Sequence, residues 1–377
     1  MNNNNTHTYK AVAVLAGTVV GAGILGIPYV IAKAGFLTGI AIILILGLAI
    51  LMLNLFVGEI VLRTPGNHQL PGYAGKYLGK WGKIIMTFTL LLGIYGALIA
   101  YIIGEGESLA ALFGGTPLVF SLIFFSIVAI IVFLGLKTVV KSEAIFVTGV
   151  SLLILLIAAV AIFSGKMDLS NLAEFNPLNL FIPYGVILFA FLGTSSIPQM
   201  KEYLSHDRKL MRKAIIIGSL IPIVAYLLFA FITLAITDTT TTEIATIGLG
   251  NALGPSIVIF GNLLAIFAMF TSFLTLSLAM KELYHYDLKL NKHLGWALTM
   301  FVPLIIFLLG VKSFIQVIGL TGAFVGGIDG ILIVLMYWRA RKLGKRQPEY
   351  KLGKMHLVGI FIIILFILGI IYQLFNL

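Results

Sequence analysis

Long apolar runs separated by short polar segments fill this chain from residue 10 to its end. A helix needs roughly 20 apolar residues to cross a hydrocarbon core of about 30 Å. The pattern therefore predicts an all-α membrane protein with eleven spans, numbered here in chain order. They cover residues 10–34, 37–62, 83–113, 117–137, 143–164, 179–203, 213–237, 253–282, 294–311, 314–338 and 356–376.

The basic residues between the spans predict the orientation. With the N-terminus in the cytoplasm, the loops on that side hold all 25 Lys and Arg except Lys33, Lys166 and Lys312. Cytoplasmic loops of membrane proteins carry such an excess of positive residues. We therefore expect a multi-pass cell-membrane protein with a cytoplasmic N-terminus and an extracytoplasmic C-terminus.

Two spans contain glycine and proline at the same relative place. Span 1 includes VVGAGILGIP (Val19 to Pro28), and span 6 includes FLGTSSIPQ (Phe191 to Gln199). Glycine lowers helix propensity and proline removes a backbone donor, so both spans are predicted to break near their middle. Lipid cannot satisfy the freed backbone groups, so each break must face protein, a ligand, an ion or water. The alternative is a kinked but continuous helix.

The matched breaks also indicate an internal repeat, because Pro28 and Pro198 lie 170 residues and five spans apart. An odd number of spans per unit inverts the second unit relative to the first, as in many secondary transporters. The predicted division is a short cytoplasmic tail at 1–9, a first five-helix repeat at 10–164, a second at 165–338, a basic cytoplasmic loop at 339–355 and helix 11 at 356–377.

Composition narrows the function. Sixty per cent of the residues are hydrophobic and 10% are charged, which a water-soluble globule does not show. The net charge of +11 lies between the spans, so it is interpreted as anchoring to lipid phosphates rather than nucleic-acid binding. There is no cysteine, and no metalloprotease, P-loop or nucleophile-elbow motif. We therefore expect neither catalytic residues nor a cofactor.

The predicted breaks suit a ligand that carries both charges. Free amides attract an anion and free carbonyls attract a cation. In span 1 the amides near Gly21, Ala22 and Gly23 are candidates for a carboxylate, since glycine lets a ligand approach the backbone. The alternative is that these glycines only permit tight helix packing.

The segment AGTVVGAGILGIPYVIAKAGF (Ala16 to Phe36) resembles the first helix of the amino acid/auxin permease family, within the amino acid-polyamine-organocation superfamily. It is also similar to the bacterial tyrosine and tryptophan permeases. The resemblance implies a LeuT-type fold of five plus five inverted helices with one extra helix, and an amino acid substrate. The implied substrate site comprises Thr18, Gly21, Ala22, Gly23, Ile24, Phe189, Phe191, Gly193, Thr194, Ser195 and Ser196.

In span 8, Ala268 precedes Thr271 and Ser272 by three and four positions, which places all three on one helical face. Their oxygen atoms suit a hard cation. The spacing resembles the sodium site of sodium-coupled LeuT-fold transporters, which implies Gly17 and Val20 as further ligands through their carbonyls. The alternative is that Thr271 and Ser272 only satisfy backbone carbonyls or pack.

Proton coupling stays open. Some superfamily members that couple to protons place a lysine in helix 5, and span 5 has none, which favours sodium. Asp329 in span 10 is either a proton carrier or a hydrogen-bonded residue that faces inward, since a free charge in the bilayer is costly.

Three further polar residues lie in spans 2 and 3. Glu59 is predicted either to brace free amides of span 6 or to pair with Arg63, four residues further along the helix. By the resemblance, Tyr95 and Tyr101 offer a hydroxyl to the substrate or its gate; the alternative is ordinary packing.

Together these features predict a secondary active amino acid transporter that works by alternating access, with symport of a cation, sodium being favoured over a proton. A proton-coupled permease and an uncoupled exchanger are alternatives of the same fold. A polytopic membrane enzyme and a channel are alternatives of other classes, and neither has a positive signature. The expected partners are a small amino acid, aromatic or neutral, and the lipid bilayer.

Overall fold

The structure is a computed structural model that describes residues 3–135, 143–287 and 289–376. Fifteen α-helices form within these residues. They are α1 (Asn3–Val19), α2 (Gly23–Ala34), α3 (Phe36–Arg63), α4 (Leu70–Phe113), α5 (Pro117–Leu134), α6 (Glu143–Phe163), α7 (Tyr184–Ala190), α8 (Ile197–Tyr203), α9 (Met211–Thr237), α10 (Ala245–Leu253), α11 (Pro255–Glu282), α12 (Lys292–Leu308), α13 (Phe314–Thr321), α14 (Gly327–Leu343) and α15 (His356–Phe375).

The helices follow the predicted spans, although the count of eleven is not confirmed. Seven described helices are long and apolar enough to cross a membrane, and the bent pair of α1 and α2 makes eight. Span 6 corresponds to the short helices α7 and α8, and span 9 to the 17-residue α12. Residues 1 and 2 of the predicted tail, residues 136 and 137 of span 4, and residue 377 lie outside the described residues.

Two boundaries differ from the prediction, and one short helix was not predicted. α1 begins at Asn3 rather than residue 10. Helical hydrogen bonds join backbone groups of the same segment, so they form in polar sequence as well as in apolar sequence. α4 begins at Leu70 and bends at Gly79, whose φ of 78° falls in the left-handed region that glycine tolerates. The nine-residue helix α10 was not predicted, since it is too short to give a membrane signal.

The helices pack so that α4 lies against α11 and α5, while α3 and α1 both lie against α9. A π-helical turn, Gly322–Gly326, joins α13 to α14 and contacts α7. Gly322, Gly326 and Gly330 recur at four-residue intervals in predicted span 10 and form a glycine stripe. A Cβ on Gly322 would overlap the backbone of Gly185 and Phe189, and one on Gly326 would meet the Leu188 side chain. The glycine stripe therefore brings α7 and the second break against this span.

Gly322→Ala is expected to destabilise the protein by about 1–3 kcal/mol, because overpacking at a backbone contact forces α7 away. Gly319→Ala is the matched control, one turn earlier, where a Cβ would lie 3.6 Å from Val186 in ordinary contact. The midpoint of thermal unfolding in detergent measures both variants. Equal midpoints would contradict the packing assigned to Gly322.

Candidate functional site

The first break lies between α1 and α2, whose axes differ by 52°. The amide of Gly21 donates to the Val19 carbonyl (2.8 Å) rather than to Gly17, four residues back. Neither Ala22 nor Gly23 donates its amide to a described carbonyl. The break therefore leaves free amides at the start of α2 and free carbonyls at the end of α1, among them those of Gly17 and Thr18.

The second break lies between α7 and α8. The Leu192 amide donates to the Phe189 carbonyl (3.0 Å), and both the amide and the hydroxyl of Ser196 donate to Gly193 (3.0 and 2.8 Å). The carbonyls of Phe189 and Gly193, two residues of the implied substrate site, are thus already in use. Within the described residues, the carbonyls of Phe191 and Leu192 receive no backbone donor, so they are the acceptors that this break offers.

The two breaks touch through one glycine each. A Cβ on Gly23 would lie 2.7 Å from the Cα of Ala190, the last residue of α7. A Cβ on Gly193 would overlap the side chain of Val19, the last residue of α1. Both glycines are therefore required for close approach, and each break forms part of the wall of the other.

A tyrosine of α9 joins the breaks. The hydroxyl oxygen of Tyr226 lies 2.7 Å from the Val19 carbonyl and 2.8 Å from the Ala190 carbonyl, and the side chain is fully buried. One hydroxyl proton serves two acceptors, so both carbonyls share a single donor. The ring also packs on Phe191, with ring centroids 5.0 Å apart. Tyr226 therefore ties the ends of α1 and α7 to α9.

Exposure along the breaks indicates a cavity. Thr18 is exposed, although Ala11 and Val14 on the same face of α1 are buried. A face turned to lipid would expose all three residues, so Thr18 borders an internal space. Its hydroxyl donates to the Val14 carbonyl (2.8 Å), which leaves the Thr18 carbonyl available.

The other residues predicted for the substrate site divide by exposure. Ser195 is exposed at the second break, and Gly21 is half-buried at the first. The remainder are buried: Ala22, Gly23, Ile24, Phe189, Phe191, Gly193, Thr194 and Ser196. The buried members form the wall, while Thr18 and Ser195 face open space.

A cavity of about 600 Å³ lies beside α8, the helix that follows the second break. It lies between α8 and the segment that joins α3 to α4, and Asn67 donates to Glu202 across it (3.1 Å). Burial, and then the charge of Lys76, lowers the pKa of His68, so this lining residue is neutral at neutral pH. We call this space the α8 vestibule. Its lining residues are Asn67, His68, Gln69, Pro198, Gln199, Glu202 and Tyr203.

The predicted sodium ligands lie on α11, at the end of α1 and directly after it. A Cβ on Gly21 would lie 3.7 Å from the Ser272 hydroxyl, so α11 borders the first break. Thr271 donates to the carbonyls of Phe267 (3.0 Å) and Ala268 (3.3 Å), as hydroxyls in membrane helices often do. Within the first break, the Gly17 and Val20 carbonyls accept no backbone amide. These oxygens are available to a cation.

The two tyrosines of α4 differ in their surroundings. The Tyr95 hydroxyl bonds the Tyr284 hydroxyl (2.6 Å) and the Leu298 carbonyl (3.1 Å), so it joins α4 to α12 and to the turn that follows α11. Its role as a substrate contact stays a prediction. Tyr101 is buried beside Ser272 and Tyr226. Only Tyr101 of the two therefore lies at the breaks.

Two acidic residues have defined partners. Glu59 pairs with Arg63 (2.7 Å) and accepts the Leu352 amide (2.8 Å), so the prediction that it braces span 6 is wrong and the simple pair is correct. Asp329 accepts a hydrogen bond from Thr89 on α4. This bond joins α14 to α4 and gives the carboxylate a hydroxyl donor.

Sequence reasoning missed two residues. Tyr226 gives no local signal, because its acceptors are 207 and 36 residues away in the chain. Glu105 on α4 is completely buried, and it was detectable, since an acid stands well inside span 3.

The fold defines the class of protein. It is similar to the crystal structure of MhsT in complex with L-phenylalanine, with a TM-score of 0.67 and 14% identity, covering 97% of each chain. This likeness confirms the predicted LeuT-type fold. At this identity it is evidence of architecture alone.

The sequence defines the family. The model of the tryptophan/tyrosine permease family matches residues 4–375, and the chain belongs to that family. It is 29% identical to tyrosine-specific transport system 1 of Haemophilus influenzae over 96% of this chain and 95% of the relative. It is 25% identical to glutamine transporter 2 of Aliivibrio fischeri over 84% and 85%. The resemblance to bacterial aromatic permeases is confirmed, whereas the amino acid/auxin permease assignment stays a prediction.

Tyr226→Phe is expected to destabilise the protein by about 1–3 kcal/mol, because two buried carbonyls lose their shared donor while the ring remains. Tyr184→Phe is the matched control: Tyr184 is equally buried, and its hydroxyl has no hydrogen-bond partner among the described residues. Thermal unfolding in detergent separates the two. Equal unfolding midpoints for Tyr226→Phe and Tyr184→Phe would show that the Tyr226 hydroxyl does not stabilise the breaks.

Proposed function

We propose that this protein is a secondary active transporter that carries a neutral amino acid across the cell membrane together with a cation. The observation that carries the proposal is the pair of touching breaks, which presents free amides and free carbonyls at one place. Membership of a permease family supports a transporter over an enzyme or a channel.

The substrate ammonium and carboxylate are matched to the two kinds of free backbone group. The amides of Ala22 and Gly23 at the start of α2 attract the carboxylate, because helix N-termini carry partial positive charge. The carbonyls of Thr18, Phe191 and Leu192 attract the ammonium group. The side chains at the breaks, including Thr194 and Ser195, are uncharged, which favours a neutral substrate side chain.

The α8 vestibule is the proposed route between the breaks and the cytoplasm. Ser195, Gln199 and Glu202 are exposed at successive turns from the second break outwards, whereas α2 beyond the first break is almost wholly buried. This contrast supports a state open to one side. The basic segments at that end support its assignment to the cytoplasm, with an extracytoplasmic C-terminus.

Sodium is the coupling ion that the oxygen set on α1 and α11 favours. Gly17, Val20 and Ala268 would contribute carbonyls, and Thr271 and Ser272 hydroxyls. Hard cations prefer such ligands. Asp329 is the alternative carrier for a proton, and exchange without a coupling ion is a further alternative. Alternating access between the two predicted repeats, 10–164 and 165–338, completes the proposed mechanism.

The proposal predicts accumulation of an amino acid in proteoliposomes that contain the purified protein. Tyrosine, tryptophan, phenylalanine and glutamine are tested first, each under an inward sodium gradient, an inward proton gradient and no gradient. Saturable uptake above the equilibrium level identifies a carrier. Chemically altered substrate in the mass spectrum, or uptake that never saturates, would reject it in favour of an enzyme or a channel.

Thr271→Ala is expected to reduce sodium stimulation of uptake at least tenfold, because a ligand worth about 1.4 kcal/mol changes affinity tenfold. Thr275→Ala is the matched control, since Thr275 makes the same kind of bond one turn further along α11, to the Thr271 carbonyl (2.9 Å). Sodium titrations of uptake compare the two. Identical sodium dependence in both variants would remove α11 from ion binding.

A further inference from the structure

Three acidic or basic side chains are buried among the described residues, and one of them has no hydrogen-bond partner there. Glu59 is paired with Arg63, and Lys201 donates to the carbonyls of Thr64 (3.3 Å) and Gly66 (2.7 Å). Glu105 is 0% exposed, and neither carboxylate oxygen has a hydrogen-bond partner within the described residues. An ionised carboxylate in such a place is costly, so the group requires neutralisation.

The surroundings of Glu105 favour a proton over a metal ion. Its neighbours Gly104 and Gly106 pack against Met269 of α11, Phe314 of α13 and Ser121 of α5. The backbone of Phe270 faces the carboxylate without forming a hydrogen bond. A hard cation needs several oxygen ligands, and the described residues contain no group of three or more acidic or histidine side chains that could hold one.

Other charged groups lie too far away to neutralise Glu105. The helices α5, α10 and α13 contain no acidic or basic residue, and α11 contains only Lys281 and Glu282 at its far end. Asp329 of α14 is bound to Thr89, about 24 Å along α4 at 1.5 Å per residue. On α4 itself, Glu107 faces Glu243, and both are acids. None of these groups supplies a counter-charge.

Glu105 is connected with the breaks through hydroxyl groups. Tyr101 lies one turn before it on α4, beside both Ser272 of α11 and Tyr226 of α9. Tyr226 in turn contacts the Val19 and Ala190 carbonyls at the ends of α1 and α7. A change at Glu105 that moves α4 against α11 therefore reaches the backbone groups proposed to hold the substrate.

We infer that Glu105 binds and releases a proton during each transport cycle, as a coupling site separate from the oxygen set proposed for sodium. The carboxylic acid is neutral while it is enclosed between α4, α5, α11 and α13. It ionises when the helices part and water reaches it. The inference rests on the proposed function, because it describes a step of the same cycle.

The first test measures proton movement across the membrane during amino acid transport, with a pH-sensitive dye inside the proteoliposomes. Wild-type protein is expected to move protons in step with the amino acid. Glu105→Gln, which keeps the shape and removes the acid, is expected to abolish this movement while exchange of labelled for unlabelled substrate continues. Glu107→Gln is the matched control and is expected to behave as wild type.

The outcomes separate this inference from the proposed function. Amino acid uptake by the wild-type protein without proton movement overturns the role of Glu105 and leaves the transporter proposal standing. Proton movement that persists in Glu105→Gln does the same. Absence of any amino acid uptake by the wild-type protein rejects the proposed function.

A second test needs no transport. Infrared difference spectra of the purified protein between acidic and alkaline buffer are expected to contain the carbonyl stretch of a protonated carboxylic acid that Glu105→Gln removes and Glu107→Gln retains. A band unchanged in Glu105→Gln overturns the inference, whatever the uptake assays report.

Discussion

The contact between the two helix breaks is the constraint on which the rest of the structure depends. Gly23 lies against Ala190, and Gly193 lies against the side chain of Val19. Each break has lost helical hydrogen bonds, and close packing against the other break covers part of the chain where they are missing. The Tyr226 hydroxyl is the donor that the last carbonyls of α1 and α7 share. Unpaired backbone groups in a membrane interior cost several kcal/mol each, so this arrangement decides which groups stay free for a ligand.

The glycine positions show why α7 and its neighbours are arranged as they are. Gly322 and Gly326 allow the π-helical turn to approach α7 from the side opposite α2. α7 is therefore held between two glycine-lined surfaces, and the second break lies at its free end. Backbone rotations beyond Ala190 would therefore move α8 and the vestibule that it lines, while α7 stayed in place.

Sequence reasoning located the breaks because glycine and proline act locally. Val19 to Pro28 and Phe191 to Gln199 contain in themselves the reasons why a helix cannot continue. It could not identify Tyr226, since a tyrosine in an apolar span has no local feature that distinguishes a shared donor from packing. It gave Arg63 as one possible partner of Glu59, which is correct, but it could not identify the Leu352 amide, which is 293 residues away in the chain. Local chemistry was predictable, whereas pairing across the chain was not.

The acidic side chains within the apolar helices differ in whether they have a hydrogen-bond partner. Asp329 and Glu59 both lie in long apolar helices, yet each accepts a hydrogen bond. Glu105 accepts none from the described residues, so we expect its charge to depend on whether the surrounding helices are open or closed. A group whose protonation follows a conformational change is what couples an ion gradient to alternating access, because the proton then binds one state more strongly than the other. This is the physical reason to propose a proton site on α4.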